Sequence, residues 1–245
     1  MSSDASILNL EFVFQIPTGK VAGVLFLAHG CQHSGTDWWP QSTACPDCIG
    51  LPVERTIVRE ALRRDFLPIA LSSVNRMHKC WTAKDLPIAS RLIAHIYSHY
   101  LNSDYTIPLF LLGASSGGSF VGQLAQAKIT KPKVSAICVQ IMSLNNYSSL
   151  PPSIFVLMSR DGATLRHVEK YAIHLKDYSI LKASEKPITS TYFFDHGEAL
   201  SKNDSATVQA ALKSAGLINA KDFLISDPRI SEWREVAILI FSSTS

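Results

Sequence analysis

Five residues near the middle of the chain, Gly113-Ala114-Ser115-Ser116-Gly117, set a hydroxyl between two glycines in the spacing G-x-S-x-G. The apolar run "IPLFLLGA" leads into this pattern, and a segment with helical periodicity follows it. A very tight turn from strand to helix leaves no room for a Cβ two residues before or after its serine. The spacing therefore predicts that Ser115 is a nucleophile held at the amino end of a helix. A glycine-rich turn without chemistry is the simpler alternative.

The segment "LFLAHGCQHSGTDWW" is the second candidate for chemistry, because an apolar run ends in His29-Gly30 and continues as a polar, aromatic loop. Attack on a carbonyl needs two N–H donors for the oxygen that becomes negative. The loop predicts the N–H of Cys31 as one donor and the N–H of Ser116 as the other. Gly30 allows the backbone to turn towards the site, and we interpret His29 as a structural residue that fixes the loop.

Three larger side chains are candidates for the walls of a pocket. Trp38 and Trp39 are suited to an acyl or aromatic group, with plain packing as the alternative. Arg76, in "SSVNRMHKCW" after another predicted strand, is a candidate to bind a substrate carboxylate, with an ordinary surface position as the alternative.

A serine hydroxyl becomes a strong nucleophile only when a base accepts its proton, so a histidine and a carboxylate are required. The run "IFVLMSRDG" ends in Asp161, and "TYFFDHG" ends in His196. The chain order Ser115, Asp161, His196 fits a catalytic triad. Two alternatives remain open: Asp195 is the acid while Asp161 caps a helix, or the base lies elsewhere.

Strands and helices must alternate to bring these residues together. The predicted strands are FVFQIP, VAGVLFLAHG, FLPIALSS, IPLFLLGA, KVSAICVQIMS, PSIFVLMSR and PITSTYFFDHG, and the predicted helices cover 52–64, 85–101, 116–128 and 162–176. Most of these strands are apolar on both sides, which is typical of a parallel sheet covered on both faces. We therefore expect a doubly wound α/β domain with its site at the carboxyl ends of the strands.

Residues 21–197 resemble the α/β-hydrolase superfamily, in particular its small lidless esterases and dienelactone-hydrolase-like members, through the motifs "AHG", "GASSGG", "SRDG" and "DHG". The resemblance implies a Ser115–His196–Asp161 triad, an acyl-enzyme, no cofactor, and a small-molecule ester or acyl substrate. Only "LNNYSSLPP" separates two predicted strands where related enzymes carry a lid, so no cap domain is expected. Residues 198–245 add a helix and a tail that is unusual for this superfamily.

The composition suits one domain over residues 1–245 and excludes several other classes. A net charge of +3 with scattered basic residues does not predict nucleic-acid binding. No signal-peptide pattern and no apolar run of membrane-spanning length are visible, so we expect a cytoplasmic protein that does not bind membranes. The sequence does not indicate an oligomeric state.

Cys45 and Cys48 form a C-x-x-C motif, "CPDC", among five cysteines in total. A redox motif belongs at a strand-to-helix junction, and a structural zinc needs two further ligands. Neither condition is met by this loop-like segment, so we expect no metal and reduced structural cysteines, with a disulfide as the second possibility.

Three function classes follow from these residues. The first is a serine hydrolase that cleaves a carboxylic ester or thioester. The second is a catalytically impaired member of the same fold that binds a ligand or a partner. The third, a C-x-x-C redox protein, requires that Cys45 rather than Ser115 carry the activity.

Overall fold

The computed structural model describes residues 10–127, 131–196, 200–228 and 230–242. The chain divides into two compact units, residues 1–183 and 184–245, which are described separately. The single domain expected over 1–245 stays a prediction. The first nine residues, Lys128 at the expected helix end and Gly197 of the "DHG" motif lie outside the described residues.

The first unit is built on a seven-stranded sheet with the order β1-β3-β2-β4-β5-β6-β7. All neighbouring strands are parallel except β1, which pairs antiparallel with β3. The strands are β1 (Phe12–Phe14), β2 (Gly23–Ala28), β3 (Phe66–Leu71), β4 (Leu109–Ala114), β5 (Val134–Gln140), β6 (Ser153–Met158) and β7 (Tyr178–Ala183). This mostly parallel sheet confirms the predicted α/β fold class.

Over the described residues of this unit, four α-helices accompany the sheet: α1 (Pro52–Arg63), α2 (Leu86–Tyr100), α3 (Ser116–Gln126) and α4 (Gly162–Ala172). Successive residues of β2 point to opposite faces. Phe26 belongs to the core cluster that contains α2 and α3, whereas Leu27 packs with Val58 of α1, and both strand residues are fully buried. The sheet is therefore covered on both faces, which explains why its central strands are apolar throughout.

The last strand is not where the sequence predicts it. "PITSTYFFDHG" contains no strand among its described residues, and residues 192–196 form a helix in the second unit. The strand at the edge of the sheet is β7, where Ser179, Leu181 and Lys182 are exposed. An edge strand with exposed side chains has no continuous apolar run, so the hydrophobic pattern of its sequence predicts a strand only weakly.

The second unit contains α5 (Tyr192–His196), α6 (Lys202–Ser214) and α7 (Trp233–Ser242). Its small core consists of Ile188, Val208, Leu212 and Ile218. Tyr192 and Phe193 pack against this core. These aromatic residues, predicted to belong to a strand, therefore form the apolar side of a short helix. No helix in the described part of the chain is both long and apolar enough to cross a membrane, and the cytoplasmic location stays a prediction.

Candidate functional site

Ser115 lies at the junction between β4 and α3, with φ 53° and ψ −121°. A positive φ is uncommon for a residue with a side chain, and such strained positions cluster at functional sites. The N–H of Ser115 donates to the carbonyl oxygen of Gln140 at 3.0 Å, and its own carbonyl oxygen accepts from the N–H of Ser119 at 3.1 Å. The turn is thus held by β5 on one side and by the first turn of α3 on the other.

The two flanking glycines are required by space. A Cβ at Gly113 would overlap the carbonyl oxygen of Gly117. A Cβ at Gly117 would overlap the carbonyl oxygen of Ala28 and lie 2.5 Å from that of His29. All three obstacles are backbone atoms, which cannot rotate away as a side chain can. The tightness of the turn therefore accounts for Gly113, and the packing of the end of β2 against the turn accounts for Gly117.

The loop after β2 passes beside Ser115 because β2 is the neighbour of β4 in the sheet. A Cβ placed on Gly30 would be 3.7 Å from the Cβ of Ser115 and 3.7 Å from the carbonyl oxygen of Ala114. Among the described residues, no hydrogen-bond acceptor is found for the N–H of Cys31 or of Ser116. Ser116 is the first residue of α3, where the N–H groups have no partner within the helix and the helix dipole favours negative charge.

His29 anchors this loop to the next strand end. Its Nδ1–H donates to the carbonyl oxygen of Gly30 at 2.6 Å, and its Nε2 accepts from the N–H of Ser73 at 3.1 Å. The indole N–H of Trp81 donates to the His29 carbonyl oxygen at 2.8 Å. Burial lowers the pKa of His29 to about 4. With a neutral ring and both nitrogens engaged, His29 has the contacts of the structural residue that the sequence suggests.

A disulfide joins Cys31 to Cys80, which ties the loop after β2 to the segment after β3. A second disulfide joins Cys45 to Cys48, so that thiolate ligands for zinc are not available there. Cys138 is the one free cysteine. The expectation of reduced cysteines is wrong for both pairs. Cys31 and Cys80 meet because the sheet places the ends of β2 and β3 side by side, which spacing does not reveal. The Cys45–Cys48 bond is the disulfide that was the second possibility for the C-x-x-C motif. Disulfides persist mainly in oxidising compartments, so this pairing is in tension with the predicted cytoplasmic location.

The predicted acid and base each have local partners within their own unit. Asp161 caps α4: one carboxylate oxygen accepts from the N–H of Thr164 at 3.1 Å and the other from its hydroxyl at 2.8 Å. His196, exposed at the end of α5, donates its Nδ1–H to the carbonyl oxygen of Tyr192 at 2.8 Å. Asp195 accepts from the hydroxyl of Thr191 at 2.7 Å. The helix-cap role proposed as an alternative for Asp161 is therefore present, and the Ser115–Asp161–His196 triad stays a prediction.

The pocket candidates have the contacts of their simpler alternatives. Trp38 and Trp39 are 3% and 8% exposed and belong to the core cluster with Leu27. The indole N–H of Trp39 donates to the side-chain oxygen of Gln15 at 3.0 Å. Arg76 forms an ion pair with Glu11, with 2.8 Å between Nη2 and Oε2. A role of these side chains in substrate binding stays a prediction.

The loop after β2 also contains an imidazole–carboxylate pair that was not predicted from the sequence. Nδ1 of His33 lies 2.7 Å from Oδ2 of Asp37. The hydrogen bond that His33 donates to Asp37 raises the pKa of His33 above its usual value. Burial of Asp37 opposes ionisation, but hydrogen bonds from His33 and Ser34 keep the pKa of its carboxyl below the usual value. The four-residue spacing in "HSGTD" was the available signal.

Solved structures provide the comparison with known proteins. An alpha-beta serine hydrolase homologue from Coxiella burnetii is 13% identical and superposes with a TM-score of 0.53, covering 76% of this chain and 86% of the other. A cold-adapted esterase from an Arctic intertidal metagenomic library is 10% identical with a TM-score of 0.52, covering 71% and 78%. No protein-family model and no curated protein sequence matches the chain. The strand order, the turn at Ser115 and these structural neighbours show that the chain has the α/β-hydrolase fold. The resemblance in its sequence implies the same fold.

Proposed function

We propose that this chain is a serine hydrolase that cleaves a carboxylic ester or thioester with Ser115 as the nucleophile. The observation that carries the proposal is the turn at Ser115, where a non-glycine residue is held at φ 53° between two glycines that tolerate no side chain. Such strain persists only where the surrounding structure enforces it, and it commonly serves function. The fold shared with a structure named as an esterase supports the same class.

In the proposed reaction, Ser115 Oγ attacks the substrate carbonyl carbon while a histidine accepts its proton. The carbonyl oxygen becomes negative and is stabilised by the N–H groups of Cys31 and Ser116, which have no described acceptor. The alcohol or thiol leaves with a proton, and water then hydrolyses the acyl-enzyme. The sequence assigns the base to His196 and its carboxylate to Asp161; that assignment stays a prediction.

Labelling with a fluorophosphonate probe tests the nucleophile, since the probe reacts with activated serines. The wild type should label and hydrolyse short p-nitrophenyl esters, and Ser115→Ala should do neither. Ser98→Ala is the matched control, because Ser98 is an exposed serine of α2 whose hydroxyl hydrogen bonds stay within that helix, to two backbone carbonyls and to Nδ1 of the neighbouring His99. Equal labelling of the wild type and Ser115→Ala would contradict the proposal.

A ligand-binding protein without catalysis is the second candidate. The capping contacts of Asp161 favour it, because both carboxylate oxygens already accept hydrogen bonds from Thr164. This candidate predicts a folded wild type that neither labels nor hydrolyses esters.

A further inference from the structure

His33 and Asp37 form a fixed imidazole–carboxylate pair on the loop after β2. Oδ2 of Asp37 accepts from Nδ1 of His33 at 2.7 Å and from the N–H of Ser34 at 3.2 Å, while Oδ1 accepts from the Ser34 hydroxyl at 3.1 Å. Asp37 is only 5% exposed, so these bonds hold the carboxylate in one orientation. Because an ionised carboxylate only accepts hydrogen bonds, the proton of a neutral His33 is on Nδ1 and the lone pair is on Nε2.

This pair and Ser115 both approach Gly30. The Cδ2 atom of His33 and the Cβ of Ser115 are each 3.7 Å from the position that a Cβ would take on Gly30. The two atoms are therefore separated by no more than twice that distance. Cδ2 is bonded to Nε2, so the nitrogen with the lone pair is on or beside the edge of the ring that approaches Gly30. Gly30 leaves the space between the imidazole and the serine without a side chain.

We propose that His33, oriented by Asp37, is the base that accepts the proton of Ser115. The inference rests on the proposed hydrolase function and replaces His196 in its mechanism. The step requires the Ser115 side chain to direct Oγ towards Nε2 of His33, and catalytic hydrogen bonds are often long in the absence of substrate. Asp37 is a positioning residue, since it acts on the reaction through His33.

Two other histidines are less suited to this step. His29 uses both ring nitrogens in hydrogen bonds to the backbone and has a pKa of about 4. His196 donates its Nδ1–H to a backbone carbonyl, which lacks the charge that stabilises an imidazolium. His33 has a buried carboxylate in that place, and no described residue is hydrogen-bonded to its Nε2.

The proton balance of the reaction follows directly. The proton of Ser115 moves to Nε2 of His33 as Oγ bonds to the carbonyl carbon. Protonated His33 then donates that proton to the departing alkoxide or thiolate, and the acyl-enzyme forms. In the second half, His33 accepts a proton from the attacking water and returns it to Ser115 Oγ as the acid product leaves.

Ester hydrolysis by matched histidine variants tests the proposal. His33→Gln should lower kcat by roughly 10²- to 10⁴-fold, the usual contribution of a general base. His174→Gln, at an exposed position after α4, should retain wild-type kcat and serves as the control. Far-ultraviolet circular dichroism and the midpoint of thermal unfolding establish that each variant is folded. Exogenous imidazole should restore part of the activity of His33→Ala, which a purely structural defect would not permit.

The pH profile of Asp37→Asn supplies an independent readout. Asp37 and Glu54 raise the pKa of His33, whereas burial and Lys79 lower it. Since only neutral His33 accepts a proton, kcat/KM should fall as the pH drops through this raised pKa. Loss of the Asp37 charge should move that acidic limb to lower pH, and Asp37→Asn provides this test even where His33→Gln fails to fold.

Each outcome has a defined consequence. Wild-type kcat in His33→Gln, or loss confined to His196→Gln, would overturn the role of His33 while leaving Ser115 as the nucleophile. An acidic limb unchanged in Asp37→Asn would also overturn it. A folded wild type that neither labels nor hydrolyses esters would overturn the hydrolase function together with this inference.

Discussion

The disulfide between Cys31 and Cys80 should stabilise the first unit and the geometry of its site at once. Replacing both cysteines by serine removes a crosslink that spans a sequence separation of 49, whereas the Cys45–Cys48 bond spans a separation of 3. The chain-entropy relation for crosslinks gives a loss of about 4 kcal/mol for the long loop and about 2 kcal/mol for the short one. The double variant Cys45→Ser/Cys48→Ser is therefore a matched control for the change of cysteine to serine.

Urea unfolding followed by tryptophan fluorescence measures both losses as changes in the free energy of unfolding. The same samples report on the site, because Cys31 supplies one proposed N–H donor and its disulfide ties the loop that carries this donor to the segment after β3. Complete loss of one such donor lowers kcat by roughly 10²- to 10³-fold. Without the Cys31–Cys80 bond the donor is displaced rather than removed, so kcat should fall by about tenfold or more, up to the loss expected for a missing donor. The Cys45→Ser/Cys48→Ser variant should keep the wild-type kcat. Equal destabilisation by the two double variants, or wild-type kcat without the Cys31–Cys80 bond, would refute the reasoning.

Two further predictions concern the core of the site. Gly117→Ala should destabilise the protein by about 2 kcal/mol more than Gly122→Ala in the same helix, because its Cβ meets backbone oxygens rather than the flexible side chain of Leu144; urea unfolding of the two variants decides, and equal losses would contradict the steric argument. His29 has its pKa lowered from 6.5 to about 4, so the unfolded chain binds more protons between these values and stability must fall as the pH drops through that window. The loss amounts to about 3 kcal/mol from this residue, and His29→Gln should have a correspondingly weaker pH dependence of unfolding between pH 6.5 and 4; an unchanged dependence would show that His29 is not buried and neutral.

The strand order explains why the loop after β2 contains several of the candidate functional residues. β2 lies between β3 and β4, so the loop after β2 faces the ends of both neighbours. His29 bonds to the segment after β3 through Ser73, and Gly30 approaches the turn after β4 at Ser115. The loop is thus positioned by hydrogen bonds, a disulfide and close backbone packing together, which is the rigidity that a catalytic arrangement requires.

Features that depend on a few neighbouring residues were determined by the sequence itself. The need for glycine at position 113 follows from sterics within the turn, whereas Gly117 also has to fit against the end of β2. The apolar character of β2 and β4 follows from burial on both faces. The start of α1 at Pro52 is equally local, because proline fits the first turn of a helix. These features were confirmed where their signal was short-ranged and strong.

The tertiary structure alone decided which distant residues meet. Cys31 pairs with Cys80 because parallel strands β2 and β3 end side by side, and no spacing rule contains that information. The last strand was misplaced because an edge strand carries a weak apolar pattern. His33 and Asp37 are four residues apart, yet their proximity to Ser115 depends on the adjacency of β2 and β4 and on the absence of a side chain at Gly30. Local steric constraints depend on neighbouring residues and can be predicted from the sequence, whereas the assembly of a site depends on the order in which the strands pair.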